Sequence, residues 1–172
     1  ALIEALHSRK LFLNSVSQAI DFALEGGAVE TDGQGTLLTT WRCLRERHPG
    51  KSREDLTIAL AGWLQQDRVL WLDHGYLDGA DTDAHIDTLA RFASPTSIVY
   101  QGCDDPDDAH FEEFRAMAVE LAGMHTLGER PYQLIALPWP QPVPDSAHDQ
   151  GSSHAGRRLA ASYANFLIIN GA

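Results

Sequence analysis

Extended and helical segments alternate along the sequence in an order that constrains the fold. Residues 22–29 and 36–40 are predicted to be hairpin strands, because the intervening "TDGQG" carries an Asp-Gly pair that favours a tight turn. A helix is predicted over 52–66, with Ser52 as its N-cap and apolar residues at helical spacing. A short apolar strand, "RVLWL", follows over 68–72. Together these segments predict a ββαβ unit.

A similar order occurs again over 69–137. The second pattern is strand, loop, a strand at 97–101, a helix at 107–125 and a strand at 132–137. A last strand is predicted over 163–169. Alternation of strands and helices predicts a mixed α+β fold, and the repetition predicts that it is built from ββαβ modules.

The length of the chain and the character of its ends bear on its domain organisation. At 172 residues it is long enough for one domain with a substantial core. Residues 139–158 are rich in Pro, Ser and His and predict a long mobile loop. The chain begins in a helical pattern without Met and ends in an apolar run. We therefore expect it to be a piece of something longer.

Charge and cysteine content exclude several function classes. The net charge of -11 argues against nucleic-acid binding, which needs clustered Lys and Arg. No apolar run is long enough to span a bilayer, so we expect no membrane association. The two cysteines, Cys43 and Cys103, lie far apart, which argues against a disulfide scaffold or a zinc finger. A cytoplasmic location is the default expectation for such a chain.

The chemically richest stretch is "GADTDAHIDTLAR", which places Asp81, Asp83, His85 and Asp87 close together. If the chain is extended from His85 to Asp87, the imidazole and the carboxylate point to the same side. An imidazole beside a carboxylate suits acid/base chemistry, and a carboxylate can also grip a planar guanidinium through two hydrogen bonds. The stretch therefore predicts an acid/base or cation-binding site.

Of three other interpretations of this stretch, a capped polar loop and a transition-metal site stay open, and a calcium-binding loop is excluded. Carboxylates that cap backbone amides in a polar loop explain the composition equally well. A calcium loop counted from Asp81 fails, because Ile86 and Phe92 stand where Gly and Glu are required. A transition-metal site that adds His74 to the cluster is chemically feasible, although no characteristic ligand spacing supports it.

A second unusual feature is Glu25 followed by Gly26 and Gly27 inside a predicted strand. Glycines weaken strands and are typical where the backbone passes close to another element or to a ligand. A bulge or a sharp bend explains the pair equally well.

Three blocks, "FALEGGAVETDGQGTLLTT", "WLDHGYLDGADTDAHIDTLARF" and "SYANFLIING", resemble the agmatine deiminase family. This family groups with the bacterial-type peptidylarginine deiminases in the guanidine-modifying superfamily. The resemblance covers nearly the whole chain, with the blocks in the family's order. It implies an α/β-propeller (pentein) fold of five ββαβ modules around a central pore, of which this chain would hold roughly two to three.

The resemblance also implies a mechanism for the complete enzyme. Glu25 matches the family's Glu-Gly-Gly motif, and His85 and Asp87 match its His-x-Asp motif. A cysteine thiolate attacks the guanidinium carbon, and His85 protonates the leaving ammonia and then activates water. Glu25 hydrogen-bonds His85, while Asp87 holds the guanidinium nitrogens. Asp81 and Asp83 would line the substrate entrance. No metal or organic cofactor is implied.

Some family features have no counterpart here. The family carries a further Asp from an earlier module and a nucleophilic Cys near its C-terminus, and neither has a match in this chain. Cys43, in "TTWRCLRER", and Cys103, in "YQGCDDPDD", do not match the nucleophile's context. Ala28, Glu30 and Ala84 stand where many agmatine deiminases carry Ser, His and Gly, which leaves the substrate open.

Three functions are therefore compatible with the sequence. The first is deimination of agmatine, a small cationic guanidino compound, for putrescine biosynthesis. Peptidyl-arginine or free arginine is the alternative substrate, since the same Glu, His and Asp would serve all three. The third is a non-catalytic, guanidine-binding relic. The family's frequent association implies a homo-oligomer, although no interface is identifiable in the sequence.

Overall fold

Two three-stranded sheets form the centre of the molecule. A computed structural model of the chain describes residues 2–12, 14–79, 84–144 and 158–167. The helices and strands, with one short 3₁₀ turn before β1 and another before β4, are α1 (Leu2–Ser8), β1 (Val29–Thr31), β2 (Thr36–Thr40), α2 (Trp41–Arg47), α3 (Arg53–Leu64), β3 (Arg68–Leu72), β4 (Ala90–Ser94), β5 (Ser97–Gln101), α4 (Phe111–Ala122), β6 (Gln133–Leu137), β7 (Val143–Pro144) and β8 (Arg158–Leu159).

The first module consists of β1, β2, α2, α3 and β3. Strands β1 and β2 pair antiparallel, with Val29 opposite Thr39, and β3 pairs parallel to β2, with Leu38 opposite Leu70. Helices α2 and α3 form the crossover that a parallel pair requires. The predicted ββαβ order is confirmed, although the first strand begins at Val29 instead of residue 22.

Local sequence explains the hairpin turn and the crossover helix. The Asp32 carboxylate accepts hydrogen bonds from the backbone N–H groups of Gln34 (2.8 Å) and Thr36 (2.9 Å), which closes the predicted Asp-Gly turn. Helix α3 begins at the predicted N-cap, Ser52, whose hydroxyl accepts from the Asp55 N–H at 3.1 Å. Asp55 in turn accepts from the Ser52 N–H, which completes a capping box.

The second module consists of β4, β5, α4 and β6. Strands β4 and β5 pair antiparallel and β6 pairs parallel to β5, so the topology repeats that of the first module. The sequence prediction used residues 68–72 as the first strand of this unit, which is wrong. That strand belongs to the first sheet, and β4, which the sequence prediction missed, takes its place.

A shared core joins the two modules. Leu38 on β2 and Leu72 on β3 are fully buried in the same apolar cluster as Ile86, Phe114 and Met117, which belong to the second half of the chain. The neighbouring residue on β2, Leu37, faces the opposite way and packs with α2 and α3. Because successive strand residues alternate in direction, β2 is buried on both faces and forms the seam between the modules.

Two predicted segments differ from the structure. Described residues 163–167 form no strand: the Tyr163 N–H donates to the Gln101 side chain and the Phe166 carbonyl accepts from the Arg91 side chain, and residues 168–169 fall outside the description. Most of the predicted mobile loop, residues 145–157, also lies outside the described residues. Its two ends pair through β7 and β8.

The lengths of the described helices can be compared with the length that a membrane-spanning helix needs. Among the described residues, no helix combines the length and the apolar composition that a bilayer crossing requires.

Candidate active site

Two short 3₁₀ turns bring the motif residues together at the seam. Glu25 precedes the first turn, Gly26–Ala28, and His85 precedes the second, Ile86–Thr88. The sequence hypothesis of an extended His85–Asp87 segment is therefore wrong, since Asp87 lies within the turn. The His85 and Asp87 side chains nevertheless meet near Gly27, because the two turns pack against each other.

Strand β2 fixes both turns through neighbouring hydroxyl groups. The Thr39 hydroxyl donates to the Ala28 carbonyl and the Thr40 hydroxyl donates to the Ala84 carbonyl, each at 2.7 Å. Both threonines are buried. A buried hydrogen bond of this kind resists displacement, because breaking it leaves polar atoms unpaired away from water. This Thr-Thr pair has no predicted role, since its only signal in the sequence is its position at the end of a buried strand.

Gly27 allows the two turns to approach. A Cβ atom at this position would lie 2.6 Å from Asp87 Oδ2 and 2.8 Å from His85 Nδ1, which no real side chain tolerates. The prediction that the Gly pair marks a close backbone approach is confirmed for Gly27. At Gly26 a Cβ atom would meet nothing within 4 Å, so the same steric argument does not apply there.

Glu25 is oriented by an arginine that the sequence analysis did not identify. Arg47, the last residue of α2, donates from Nε to Glu25 Oε1 at 2.6 Å. This hydrogen bond is the main reason that the pKa of Glu25 is lower than usual, and the charge of His85 adds a smaller contribution. The other oxygen, Oε2, lies 4.0 Å from His85 Nε2, beyond hydrogen-bond distance. Glu25 therefore faces His85 as a charge that Arg47 holds in place.

Replacing Arg47 by methionine is expected to raise the pKa of Glu25, because the dominant stabilisation of its ionised form is lost. A lowered carboxyl pKa contributes stability above the unfolded-state value and loses it as pH falls through the folded-state value. The stability difference between wild type and variant should therefore shrink on acidification. Carbon-13 NMR titration of the Glu25 carboxyl checks the shift, with exposed Arg45→Met as the matched control. Identical Glu25 titration in wild type and Arg47→Met would contradict the assignment.

Each of the three motif residues has a polar atom that is buried and unpaired among the described residues. These atoms are Glu25 Oε2, His85 Nε2 and Asp87 Oδ1. The second Asp87 oxygen, Oδ2, accepts a long hydrogen bond of 3.4 Å from the Asn165 side chain. Buried polar atoms are normally paired, so such a group is typical of a site that binds a polar ligand. Two carboxylates and an imidazole suit a ligand that is cationic and rich in N–H donors.

Cys43 also lies near the motif residues. The ligand atoms of Glu25, Cys43 and His85 are all within 4.8 Å of one another, a donor set that zinc accepts. The Arg47 guanidinium, however, contacts the same Glu25 carboxylate, and its positive charge opposes a metal cation there. A divalent ion is opposed about twice as strongly as a singly charged guanidinium, and Asp87, whose Oδ1 has no partner among the described residues, is not one of the three donors, so guanidinium binding is the better interpretation.

The structure does not place the other predicted site residues together with Glu25, His85 and Asp87. Asp81 and Asp83 lie outside the described residues, so their predicted place at the substrate entrance stays a prediction. His74, a member of the hypothetical metal set, instead pairs with Glu120 at 2.5 Å, which raises the pKa of His74. Burial raises the pKa of the Cys103 thiol, the opposite of what an activated nucleophile requires.

Comparison with known proteins identifies relatives of the chain. The Porphyromonas-type peptidyl-arginine deiminase family matches residues 4–172. The agmatine deiminase of Pseudomonas syringae pv. tomato is 33% identical over 161 residues, which cover 87% of this chain and 44% of that protein. The chain thus spans about half the length of the curated relatives it matches.

Solved structures are similar to the whole described fold. A Porphyromonas gingivalis crystal structure has a TM-score of 0.88 and 45% identity, covering 98% of this chain and 48% of that one. A cysteine-to-serine variant of C. jejuni agmatine deiminase with substrate bound has a TM-score of 0.80 and 32% identity, covering 99% and 46%. Because the match to this family extends over residues 4–172, the chain belongs to the Porphyromonas-type peptidyl-arginine deiminase family.

Proposed function

We propose that this chain is part of a longer enzyme that hydrolyses agmatine to N-carbamoylputrescine and ammonia. The observation that carries the proposal is that Glu25, His85 and Asp87 lie close together and each has a buried atom, Oε2, Nε2 and Oδ1, with no hydrogen-bond partner among the described residues. A guanidinium is a planar cation with N–H donors along its edges, which matches carboxylate acceptors. The similarity to agmatine deiminases at about one-third identity supports the same substrate class.

In this proposal Asp87 binds the guanidinium nitrogens and orients the central carbon. Hydrogen bonds from the substrate to Asp87 Oδ1 would pair an atom that otherwise lacks a partner. Asn165, which donates to the other Asp87 oxygen, would limit rotation of the carboxylate. Holding the carbon at a fixed position favours attack by a nucleophile from one direction.

His85 transfers the protons, and a cysteine thiolate attacks the guanidinium carbon. His85 gives a proton to one guanidinium nitrogen, the bond from the central carbon to that nitrogen breaks, and the nitrogen departs as ammonia. The carbon stays bonded to the cysteine sulfur as a covalent thiouronium intermediate. His85 then takes a proton from water, whose oxygen bonds to the same carbon and expels the thiolate. Glu25, ionised beside Arg47, stabilises the protonated imidazole across the 4.0 Å gap. The nucleophile would come from a part of the protein beyond this chain.

The proposed fold of the complete protein is the five-module propeller. The two ββαβ modules described here share one topology and meet at β2, which is the arrangement expected of neighbouring modules. The site lies at their junction, and further modules would contribute the missing cysteine and the second guanidinium-binding Asp. We also propose a cytoplasmic location.

Ammonia release tests the function. The complete protein is expected to release ammonia from agmatine faster than from free arginine or a peptidyl-arginine substrate, whereas the 172-residue chain alone releases none, because it lacks a matching nucleophile. Faster release from peptidyl-arginine would favour the alternative that the matching family's description suggests. Binding of agmatine without ammonia release by the complete protein would instead indicate a guanidine-binding relic.

A further inference from the structure

A second charged pair connects the two modules close to the site. Glu30 on β1 and Arg91 on β4 form an ion pair in which Arg91 Nε lies 2.6 Å from Glu30 Oε2. The side chains are only 13% and 18% exposed, respectively, so water screens the pair weakly. The other Glu30 oxygen accepts a hydrogen bond from the Phe92 N–H at 3.2 Å. Both Glu30 oxygens are therefore engaged, and Glu30 fixes the guanidinium head of Arg91.

Arg91 has further partners at its outer end. Its Nη1 donates to the Phe166 carbonyl at 2.9 Å, and its guanidinium lies over the Phe166 ring at 5.3 Å from the centroid. A carboxylate, a carbonyl and an aromatic face together form an internal guanidinium-binding site. The arginine that occupies it is part of the chain itself.

This internal guanidinium lies near the carboxylate proposed to bind substrate. Asp87 is four positions before Arg91, and its Oδ1 is buried with no hydrogen-bond partner in the part of the chain that the structure describes. Burial raises the pKa of Glu30, and the nearby charge of Asp87 adds to that effect, so the two carboxylates interact electrostatically. Asp87 and Arg91 also contact consecutive residues, since Asn165 donates to Asp87 Oδ2 at 3.4 Å and the Phe166 carbonyl accepts from Arg91 Nη1 at 2.9 Å. Among the described residues, the carboxylate that Arg91 contacts is that of Glu30.

We propose that Glu30 keeps Arg91 off Asp87, so that Asp87 is available to an external guanidinium. The proposal rests on the proposed function, in which Asp87 binds the substrate's guanidinium. Glu30 is thus a positioning residue that acts through Arg91 and does not contact the substrate. The same ion pair also holds β1, which follows the Glu25 turn, beside β4, which follows the Asp87 turn.

Competition between the two guanidinium groups gives the expected size of the effect. When a binding-competent state is populated only in part, the apparent dissociation constant rises by the inverse of that fraction. If Arg91 without Glu30 occupies Asp87 for about nine-tenths of the time, the KM for a guanidino substrate rises roughly tenfold. The maximal rate changes little, because saturating substrate displaces Arg91.

Glu30→Gln and the double variant Glu30→Gln/Arg91→Met, both in the complete protein, test the proposal. Glu30→Gln keeps the size of the side chain and removes its charge. We expect its KM for agmatine to rise about tenfold, with kcat within about twofold of wild type, and the double variant to recover most of the wild-type KM. A purely structural ion pair could show the same recovery, because a buried arginine without its partner is destabilising, but it predicts a lower thermal stability of Glu30→Gln and no selective rise of KM. A double variant with a KM as high as that of Glu30→Gln would overturn the proposal.

A crystal structure of the Glu30→Gln variant separates this proposal from the proposed function. We expect the Arg91 guanidinium within salt-bridge distance of Asp87, and an Arg91 that stays on the Phe166 carbonyl would refute the inference even if agmatine is the substrate. If the wild type neither binds nor turns over agmatine, the proposed function fails, while the position of Arg91 still decides whether Glu30 restrains it. If Glu30→Gln does not fold, the double variant must fold and bind agmatine normally for the proposal to stand.

Discussion

Replacing His85 by alanine in the complete enzyme is expected to lower kcat for agmatine by about 100- to 10,000-fold, the usual contribution of a positioned general acid or base. Among the described residues, His85 is the histidine whose ring nitrogen faces Glu25, and in the proposed mechanism it serves both the departure of ammonia and the attack of water. Steady-state ammonia release measures the loss. Because the ring is mostly buried, circular dichroism must show that the variant folds.

The matched control for this experiment is His74→Ala. The His74 side chain is 47% exposed and pairs with Glu120 away from the motif residues, so its removal should leave kcat within about twofold of wild type. A His85→Ala variant that keeps near-normal turnover would exclude His85 as the acid and base. Equal losses in both variants would indicate a general effect on folding.

Replacing Asp87 by alanine is expected to reduce kcat/KM almost as much as the His85 substitution. The carboxylate carries charge that a guanidinium needs, and a substrate carbon displaced by about 1 Å loses roughly 100-fold in rate. Unlike the His85 variant, this one should show both a raised KM and a lowered kcat. Asp87→Asn, which keeps the shape and loses the charge, should share most of the defect.

Asp73→Asn is the control for charge removal. Asp73 forms an ion pair with Arg53 and its side chain is 47% exposed, so neutralising it should have little effect on agmatine kinetics. An Asp87→Asn variant with wild-type KM would show that the Asp87 charge does not bind the substrate. A defect confined to Asp87→Ala would point to packing against Gly27 as the role of this side chain.

Local patterns in the sequence were sufficient to predict the modular order of the fold. The Asp-Gly turn, the Ser52 cap and the apolar strands over 36–40, 68–72 and 97–101 each depend on residues a few positions apart, and each is confirmed. Helix α2 was missed, because its sequence "WRCLRER" is highly charged and the signal for its start is a single Thr40 hydroxyl bonded to the Cys43 N–H. Strand β4 was missed for a related reason, since its five residues mix apolar and polar types.

The site was predictable where a motif carried it and unpredictable where distant residues complete it. Glu25, His85 and Asp87 were identified from two short motifs, and the structure brings them together. Arg47 could not be paired with Glu25 from sequence, because the contact depends on how α2 returns across the sheet. The pairing of Glu30 with Arg91 likewise spans 61 positions and two modules.

The position of the candidate site at the seam has a consequence for how the proposed enzyme would gain and lose activity. Glu25 and His85 are sixty positions apart, and their turns are held by Thr39 and Thr40 on the shared strand. Contacts between distant positions form only after a costly loop closure, so the chemistry is completed late in folding. In the opposite direction, a partial opening between the modules separates these residues while each sheet keeps its own hydrogen bonds. Mild denaturing conditions should therefore inactivate such an enzyme before they unfold it.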